Sequence, residues 1–512
     1  MNTVWTAGWL RSALQRHFDG RQVIVVANRE PCVHELEPDG SITAKHPISG
    51  LVTALDPVLR AAGGTWIAHG SGSADRATVD RFDRLRIGGA SGGDTLRRVW
   101  LTRGEERGYY HGFSNGALWP LCHLAFESPR CTRNDWRHYQ GVNARFADAV
   151  VAEARTERPI VLVQDYHFAL LPALVRQRLP GATIVSFWHI PWPNPARFSR
   201  LPHSEALLEG LLGSDIVGFQ TPDHARAFLD CVETLPDSAV DRVGGLVGRP
   251  HGAVSVRTYP ISIEWPSRWE NTEPSVEQCR RIVRAEYGIE PDAPMMLAVD
   301  RLDYTKGIEE RLTAIRRLLA RGNATVARPV FVQVAAPSRT RLERYQQLGV
   351  RVRAQVAAIN ERFGAPGYQP VVYLERHVEP RDVFRLYRAA DACHVNSLDD
   401  GMNLVAKEFV AARNDGRGVL LLSRFAGAAR DLPGAILVNP CDIDLVADAI
   451  ADALTLPVEE QASRMRTMRR QVAGRNVFRW AGDLLLDAAG VCGVREPEKY
   501  CLDRMVPAAA GD

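Results

Sequence analysis

Short apolar runs rich in β-branched residues alternate with amphipathic helical stretches along the whole chain. In the first half, the runs Gln22–Ala27, Ile160–Gln164, Thr183–Trp188 and Asp215–Phe219 are apolar on both faces. That is the pattern of parallel strands covered by helices on either side. The second half repeats it at Met295–Val299, Val330–Ala335, Val371–Leu374, Ala392–Val395, Gly418–Ser423 and Ala435–Val438. A long helix is expected over Arg339–Phe363, because Leu342, Tyr345, Leu348, Val352 and Val356 fall on one face. Another is expected over Leu404–Arg413. Two blocks of β–α units predict an α/β protein with two facing, doubly wound, Rossmann-like domains and a cleft between them. The break is expected near Pro260–Glu277, where Pro, Ser, Glu and Trp interrupt the periodicity. The expected division is an N-terminal extension (1–20), a first domain (21–262), a second domain (263–480), and a C-terminal helix and tail (481–512) with a return to the first domain as one route.

Composition narrows this picture. A chain of 512 residues, 46% hydrophobic, is too long for one ordinary domain and fits two large ones. The net charge is +3 with no basic block, so nothing argues for nucleic acid. Arg464, Arg466, Arg469 and Arg470 sit on a helical pattern and read as a solvated face. The 9 cysteines are odd in number and form no Cys-x-x-Cys pair, which fits reduced thiols in a cytoplasmic enzyme rather than disulfides or zinc. Residues 1–20 carry Trp5, Trp9 and Leu10 but lack the basic start and apolar core of a signal peptide. No apolar run reaches membrane-spanning length, and only Val506–Asp512 reads as a frayed end.

Ligands of open α/β sheets bind beyond the C-terminal ends of the strands. Polar residues just after a predicted strand are therefore the candidates. Asn28-Arg29 follows the first strand, and an arginine there can pair with a phosphate, or be an ordinary surface residue. Asp165-Tyr166-His167 follows Gln164, where a carboxylate can hold a hydroxyl nucleophile or cap the next helix. His189-Ile190-Pro191-Trp192-Pro193 follows Trp188 and is stiffened by its prolines. In the second half, Arg301 and Lys306 share one loop and can converge on a diphosphate, or Arg301 can simply pair with Asp303 or Asp300. Ser338-Arg339 offers a further phosphate ligand, and the small residues of Phe425-Ala426-Gly427-Ala428-Ala429 allow close backbone approach. The aromatic segment Tyr109-Tyr110 to Trp119-Pro120 suits core or sugar platform.

The turn Asp400-Gly401-Met402-Asn403 links a strand to the helix opening at Leu404 and points backbone N–H groups at one spot. Asp400 can accept from sugar hydroxyls, and Glu408, one turn inside, can hold a ribose. Asp399-Asp400 precedes a capping turn and lacks partner ligands, so it does not read as a metal site. There is no Walker lysine motif and no Gly-x-Gly-x-x-Gly after the first strand, which disfavours a kinase or dehydrogenase. The inventory fits a nucleotide diphosphate sugar on the second half and a phosphorylated acceptor on the first.

The stretches VVANR ending at Arg29, YYHGFSNGALWPLCH from Tyr109, QDYHFALLP from Gln164, HIPWP from His189, VDRLDYTKGI from Val299, APSR ending at Arg339, DGMNLVAKE from Asp400 and LSRFAGAA from Leu422 together carry a resemblance. Over about Gln22–Trp480 the chain resembles the trehalose-6-phosphate synthase family of retaining glycosyltransferases, which have two facing Rossmann-like domains (the GT-B architecture). The resemblance implies that Arg29, Tyr110, Asp165 and Arg339 bind a sugar-phosphate acceptor, the two arginines and Tyr110 at its phosphate. It implies that Arg301 and Lys306 hold the donor diphosphate. Asp400 with the Gly401-Met402-Asn403 backbone would take the donor sugar, the N–H groups of Leu404 and Val405 the phosphates, and Glu408 the ribose. Trp119 and His189 would line the reacting face, and Val378 would meet the base through its backbone. Asp165, His189, Arg301 and Lys306 are thus the expected catalytic group.

The chain also departs from the family pattern. Ser49-Gly50 stands where the family has Gly-Gly in a loop over the donor, Asp399 where it has Arg, and Gln164 where it has His. Glu30-Pro31 also occurs in glucosylglycerol-phosphate synthases, but those generally lack the Ser-Arg read at Arg339. The expected reaction is transfer of glucose from a nucleotide diphosphate glucose, UDP-glucose first among the candidates, to glucose 6-phosphate, giving α,α-trehalose 6-phosphate. The alternatives are a glycerol phosphate or cyclitol phosphate acceptor, or a non-catalytic sugar-phosphate sensor, which would be expected to lose Arg301 and Lys306. The expected partners are small-molecule substrates, with no nucleic acid and no membrane; a homo-oligomer is left open. No cofactor or metal is expected beyond the nucleotide sugar itself, a co-substrate.

Overall fold

Two parallel-rich sheets organise the chain, and each is reversed in strand order at one point. The computed structural model describes residues 4–18, 21–45, 50–87, 94–123, 130–236, 238–250, 252–322 and 326–494. Ser49 and the segment 495–512, including Val506–Asp512, lie outside them.

The first sheet has ten strands. Its parallel centre runs, in spatial order, Gly252–Thr258, Ile216–Phe219, Thr183–Trp188, Ile160–Gln164, Val23–Val26, Thr65–His69 and Asp94–Val99. Antiparallel strands close both edges. The four strands read from the sequence in this half are buried along their whole length, as two-sided helix cover requires. The second sheet is all parallel, in the order Val371–Leu374, Val330–Ala336, Met295–Arg301, Ala392–Val395, Val419–Ser423, Ile436–Val438.

In each sheet the chain leaves one strand and winds first to one side, then to the other. The reversal falls between Val23–Val26 and Ile160–Gln164 in the first sheet and between Met295–Arg301 and Ala392–Val395 in the second. Such switch points leave a crevice beyond the strand ends. Arg29 and Asp165 follow the first pair of strands, and Arg301 and Asp400 end or follow the second.

The long second-half helix begins at Glu343, not Arg339. Arg339 has φ 47°, a left-handed turn that keeps it off the helix. The segment from Tyr109 to Leu118 is wound as a π-helix, Glu106–Leu118, followed by the short helix Trp119–Cys122. At the start of the chain, Ala7–Phe18 is a helix packed against Gly50–Ala62 and the final helix Val477–Val494, with Trp5 and Leu10 buried. Val477–Val494 also packs on strand Thr183–Trp188 of the first sheet. On helix Val458–Gly474, Arg466 and Arg470 are exposed, but Arg469 is not part of a solvated face. Its guanidinium turns inward and donates to the carbonyls of Val410 and Ala411 at 3.0 and 2.7 Å. These are unpaired C-terminal carbonyls of helix Leu404–Ala412, which explains the inward turn. No described helix is long and apolar enough to cross a membrane.

Candidate active site

The C-terminal strand ends of the two sheets meet. The turn at Gly401 lies so close to the loop after Thr183–Trp188 that a Cβ on Gly401 would fall 2.1 Å from the His189 carbonyl oxygen. A Cβ on Gly427 would fall 2.0 Å from the Gly401 carbonyl. Three backbones are stacked here, and only glycine fits at the two inner positions. Further contacts cross the cleft: Arg344 donates to the Asn115 carbonyl at 2.7 Å, Arg339 reaches the Tyr166 hydroxyl at 3.4 Å, and Lys407 donates to the Ile261 carbonyl at 2.8 Å.

On the first-sheet side the structure brings Arg29, Tyr110, Asp165 and Arg339 together. Burial raises the Tyr110 hydroxyl, but Arg29, Arg339 and Arg301 outweigh it and hold the phenol below its ordinary value. Arg29 hydrogen-bonds the hydroxyl and the charges of Arg339 and Arg301 are felt there, a cationic surrounding that suits a dianionic phosphate. The Tyr110 ring stacks on His167 at 5.7 Å. Arg339 is buried, donates to Asp303 at 2.5 Å and Tyr345 at 2.7 Å, and lies 3.9 Å over the Trp119 ring. Asp303 is fully buried; burial alone would raise its carboxyl, yet Arg339, Arg301 and Lys306 hold it well below the usual carboxylate range.

Asp165 does not cap the following helical turn with its side chain. Its carboxylate accepts from the His189 backbone N–H at 3.2 Å, and burial pushes it up to about 7. Its backbone is strained, at φ 74° and ψ 171°. Arg339 (φ 47°) and Asn403 (φ 86°) are the other non-glycine residues with positive φ at this cleft among the described residues. Strain of this kind gathers where geometry serves function.

His189 has both ring nitrogens committed. The Ile261 N–H donates to Gln220 Oε1 at 3.0 Å, which turns the Gln220 amide nitrogen toward His189 Nδ1 at 3.5 Å. Nδ1 is then the acceptor and Nε2 carries the proton, donating to Gln164 Oε1 at 2.9 Å. Burial pushes the imidazole down to about 3, so it is neutral. The side chain is held by two glutamines, and what His189 turns to Gly401 is its carbonyl.

On the second-sheet side, Lys306 Nζ lies 2.5 Å from Asp400 Oδ2, which also accepts from Ser397 and Asn403 at 3.1 Å. Asn403 caps helix Leu404–Ala412 through Ala406 N–H at 3.2 Å, leaving the first-turn N–H groups of Leu404 and Val405 without an intrahelical partner. Arg301 is 41% exposed, 3.9 Å from Asp303 and 5.2 Å over Trp119; Asp300 pairs instead with Arg311 at 2.7 Å. Met402 is buried. Glu408 accepts from the Tyr387 hydroxyl at 2.9 Å, and burial raises its carboxyl. Val378 is buried in the core, so its backbone is what it offers. Gly50 opens helix Gly50–Ala62. Asp399 is pushed up to about 7 by burial, with Asp400 beside it.

Asp303, Tyr345 and Gln220 belong to this cleft but were not singled out as ligands by the sequence. Gln220 directly follows strand Ile216–Phe219 and so met the strand-end criterion. Asp303 lies in the same strand-end loop as Arg301 but reads there as its ion-pair partner, and Tyr345, on an apolar helix face, carried no such signal. A surface cavity lined by Tyr287, Glu290, Arg328 and Tyr368 lies at the opposite, N-terminal ends of second-sheet strands and holds none of these residues.

The sequence pattern of glycosyltransferase family 20 matches residues 21–489. The chain belongs to glycosyltransferase family 20. It is a hexosyltransferase, and its relatives are trehalose-6-phosphate synthases. That of Mycobacterium avium (strain 104) is 41% identical over 494 residues, covering 95% of this chain and 99% of the relative. That of Mycobacterium leprae (strain TN) is 40% identical over 486 residues, covering 93% and 96%. Among solved structures, the UDP-forming α,α-trehalose-phosphate synthase of Burkholderia vietnamiensis superposes with a TM-score of 0.82 at 30% identity, covering 93% of this chain and 98% of its own. An E. coli relative bound to UDP-2-fluoro glucose gives 0.80 at 31%, covering 91% and 99%. The two sheets of the transferase are thus the two Rossmann-like units of a GT-B enzyme.

Proposed function

We propose that this transferase moves glucose from UDP-glucose to glucose 6-phosphate, giving α,α-trehalose 6-phosphate with retention at the anomeric carbon. The observation that carries the reading is the cationic surrounding of the Tyr110 hydroxyl by Arg29, Arg339 and Arg301, beside a second cationic group at Lys306 and the Leu404 helix start. A cleft with two anion-collecting walls suits one substrate that brings a phosphate and another that brings a diphosphate. The relatives support the same pair of substrates.

In this reading the acceptor phosphate lies on Arg29, Tyr110 and Arg339, and Asp165 accepts a hydrogen bond from the acceptor sugar. Arg301, Lys306 and the N–H groups of Leu404 and Val405 take up charge as the diphosphate departs. Asp400 and the Gly401–Asn403 backbone hold the donor sugar, and Glu408 the ribose. The cleft fixes the acceptor hydroxyl beside the anomeric carbon. The Asp400 carboxylate is occupied by Lys306, Ser397 and Asn403, and Asp165 lies on the acceptor side. Attack therefore proceeds on the face from which the diphosphate leaves, and the departing phosphate takes the acceptor proton. His189 supports the site without exchanging a proton. Residues 21–262 supply most of the acceptor wall, with Arg339 reaching it from 263–480, which supplies the donor wall, and no cofactor enters.

Product analysis tests this directly. UDP-, GDP- and ADP-glucose are each offered with glucose 6-phosphate, glucose and glycerol 3-phosphate, and the linkage is read by NMR. The expected product is α,α-trehalose 6-phosphate from UDP-glucose and glucose 6-phosphate. Transfer to glycerol 3-phosphate alone would replace the acceptor, and efficient transfer to unphosphorylated glucose would remove the phosphate site.

A further inference from the structure

His123 ends the short helix Trp119–Cys122 and is only 4% exposed. Its Nδ1 lies 2.9 Å from the Trp119 carbonyl oxygen, one helical turn back. A carbonyl oxygen only accepts, so Nδ1 carries a proton. Burial pushes the imidazole down to about 3, so the ring is neutral and Nε2 is a bare lone pair. The Trp119 carbonyl at Nδ1 is the one hydrogen-bond partner of the ring among the described residues, so Nε2 is left without one. The ring packs against the Trp119 indole at 3.9 Å, and that same indole carries Arg339 at 3.9 Å and Arg301 at 5.2 Å. The charged groups that His123 senses are Asp303, Asp400 and Lys306, all on the second-sheet wall. A tautomer-fixed acceptor on a buried ring thus sits against the indole that carries Arg339 and Arg301, between the two substrate walls.

We propose that His123 is a further substrate-contacting residue of the transfer, whose Nε2 accepts a hydrogen bond from a hydroxyl of the hexosyl group being moved. The inference rests on the donor arrangement proposed above. The chemistry selects the partner. Nε2 has no proton to give, so it repels a phosphate oxygen and fits a hydroxyl. A ring so hard to protonate is a poor general base, so it orients the sugar and does not abstract a proton. The contact belongs to the hexosyl part of the donor and not to the nucleotide.

Calorimetric titration of UDP and UDP-glucose against the full chain separates these parts. His123→Phe keeps the ring beside Trp119 and removes the acceptor. It is expected to bind UDP as the wild type does and UDP-glucose about tenfold more weakly. His123→Gln sets an amide oxygen near the Nε2 position and is expected to recover most of the loss. Among UDP-glucose analogues each lacking one hydroxyl, one is expected to bind wild type and His123→Phe equally. Histidine-selective 15N NMR of the wild type gives an independent reading: the His123 Nε2 resonance should shift with UDP-glucose and not with UDP. Equal loss of UDP and UDP-glucose in His123→Phe would make the residue a packing element and overturn the proposal. So would wild-type affinity for UDP-glucose, or an Nε2 resonance that ignores the sugar. If the wild type binds UDP-glucose in this way but forms no trehalose 6-phosphate, the acceptor reading fails and this one stands.

Discussion

Lys306 and Asp400 follow neighbouring strands of the second sheet and meet across the switch point at 2.5 Å. Both are largely buried, so each is the other's main compensation. A donor diphosphate must share the Lys306 charge with Asp400. Lys306→Ala should therefore do two things. It should weaken UDP by about 1.5–3 kcal/mol, the size of a charge-assisted contact. It should also lower the melting temperature, because Asp400 is left buried without its cation. Adding Asp400→Asn should restore the melting temperature and leave UDP affinity low. Arg301→Ala should weaken UDP similarly with little change in melting, since that side chain is 41% exposed and 3.9 Å from Asp303. Wild-type UDP affinity in both alanine variants would remove the diphosphate assignment.

Arg339→Lys separates the two walls. The guanidinium serves Asp303, Tyr345 and Tyr166 at once, a fork that an ammonium cannot copy. The acceptor KM should rise at least tenfold, with UDP affinity near normal. Steady-state kinetics at saturating donor, beside UDP titration, reads both. A parallel loss of UDP binding would mean that Arg339 supports the donor wall instead.

Much of this was visible in the sequence because strand ends are local. Ile160–Gln164, Thr183–Trp188, Val371–Leu374 and Ala392–Val395 fall where the apolar runs put them, and the polar residues after them necessarily gather at one edge of each sheet. The pairings were not visible. Whether Lys306 turns to Asp400, or Asp303 to Arg339 as well as Arg301, depends on side-chain directions fixed by tertiary packing. His189 shows the limit best. From the sequence it is a group lining the reacting face, and only the amide orientation of Gln220, set by the Ile261 N–H, reveals a neutral ring with both nitrogens engaged. The π-helical winding of Glu106–Leu118 was equally hidden, since its aromatic residues read as core between strands.

Gln164 stands where the family pattern has histidine, and it holds the His189 Nε2 proton at 2.9 Å. Gln164→Leu leaves that buried donor unpaired, which costs about 1–3 kcal/mol. The ring should lose its fixed tautomer, visible as a changed pair of His189 15N shifts. Turnover should fall about tenfold while UDP affinity holds. Unchanged His189 shifts would show that Gln220 alone fixes the ring.

Asp399 gives a pH test with a definite sign. Its carboxyl is raised by burial and by Asp400 to about 7. Between the ordinary carboxylate value near ~4 and that point, the folded chain keeps a proton that the unfolded chain has lost. Stability on its account is therefore present at low pH and lost as pH rises through about 7. Asp399→Asn removes this loss, so its melting temperature should exceed the wild type's by more at pH 8 than at pH 5. UDP should also bind the variant better at pH 8, where the wild-type carboxylate opposes an anionic ligand. A constant offset in melting across this range would place the Asp399 proton outside it.

Asp165 carries the sharpest conflict between stability and function. At φ 74° and ψ 171° it occupies backbone space that only glycine enters freely, a strain of about 1–3 kcal/mol. Removing the carboxyl also removes a buried acid raised to about 7, so wild type is the wrong reference for the strain. Asp165→Ala and Asp165→Gly both lose that carboxyl and its bond to the His189 N–H, and they differ only in backbone freedom. Elsewhere alanine is the more stable of the two by about 0.5–1 kcal/mol. Here the order should reverse, with Asp165→Gly above Asp165→Ala by about 1 kcal/mol in denaturant unfolding. Both should lose nearly all transfer to glucose 6-phosphate, because the carboxylate proposed to orient the acceptor is gone from each. A glycine variant no more stable than the alanine variant would mean that the backbone at Asp165 is relaxed. The geometry around the acceptor would then owe its shape to Arg29 and Arg339 alone.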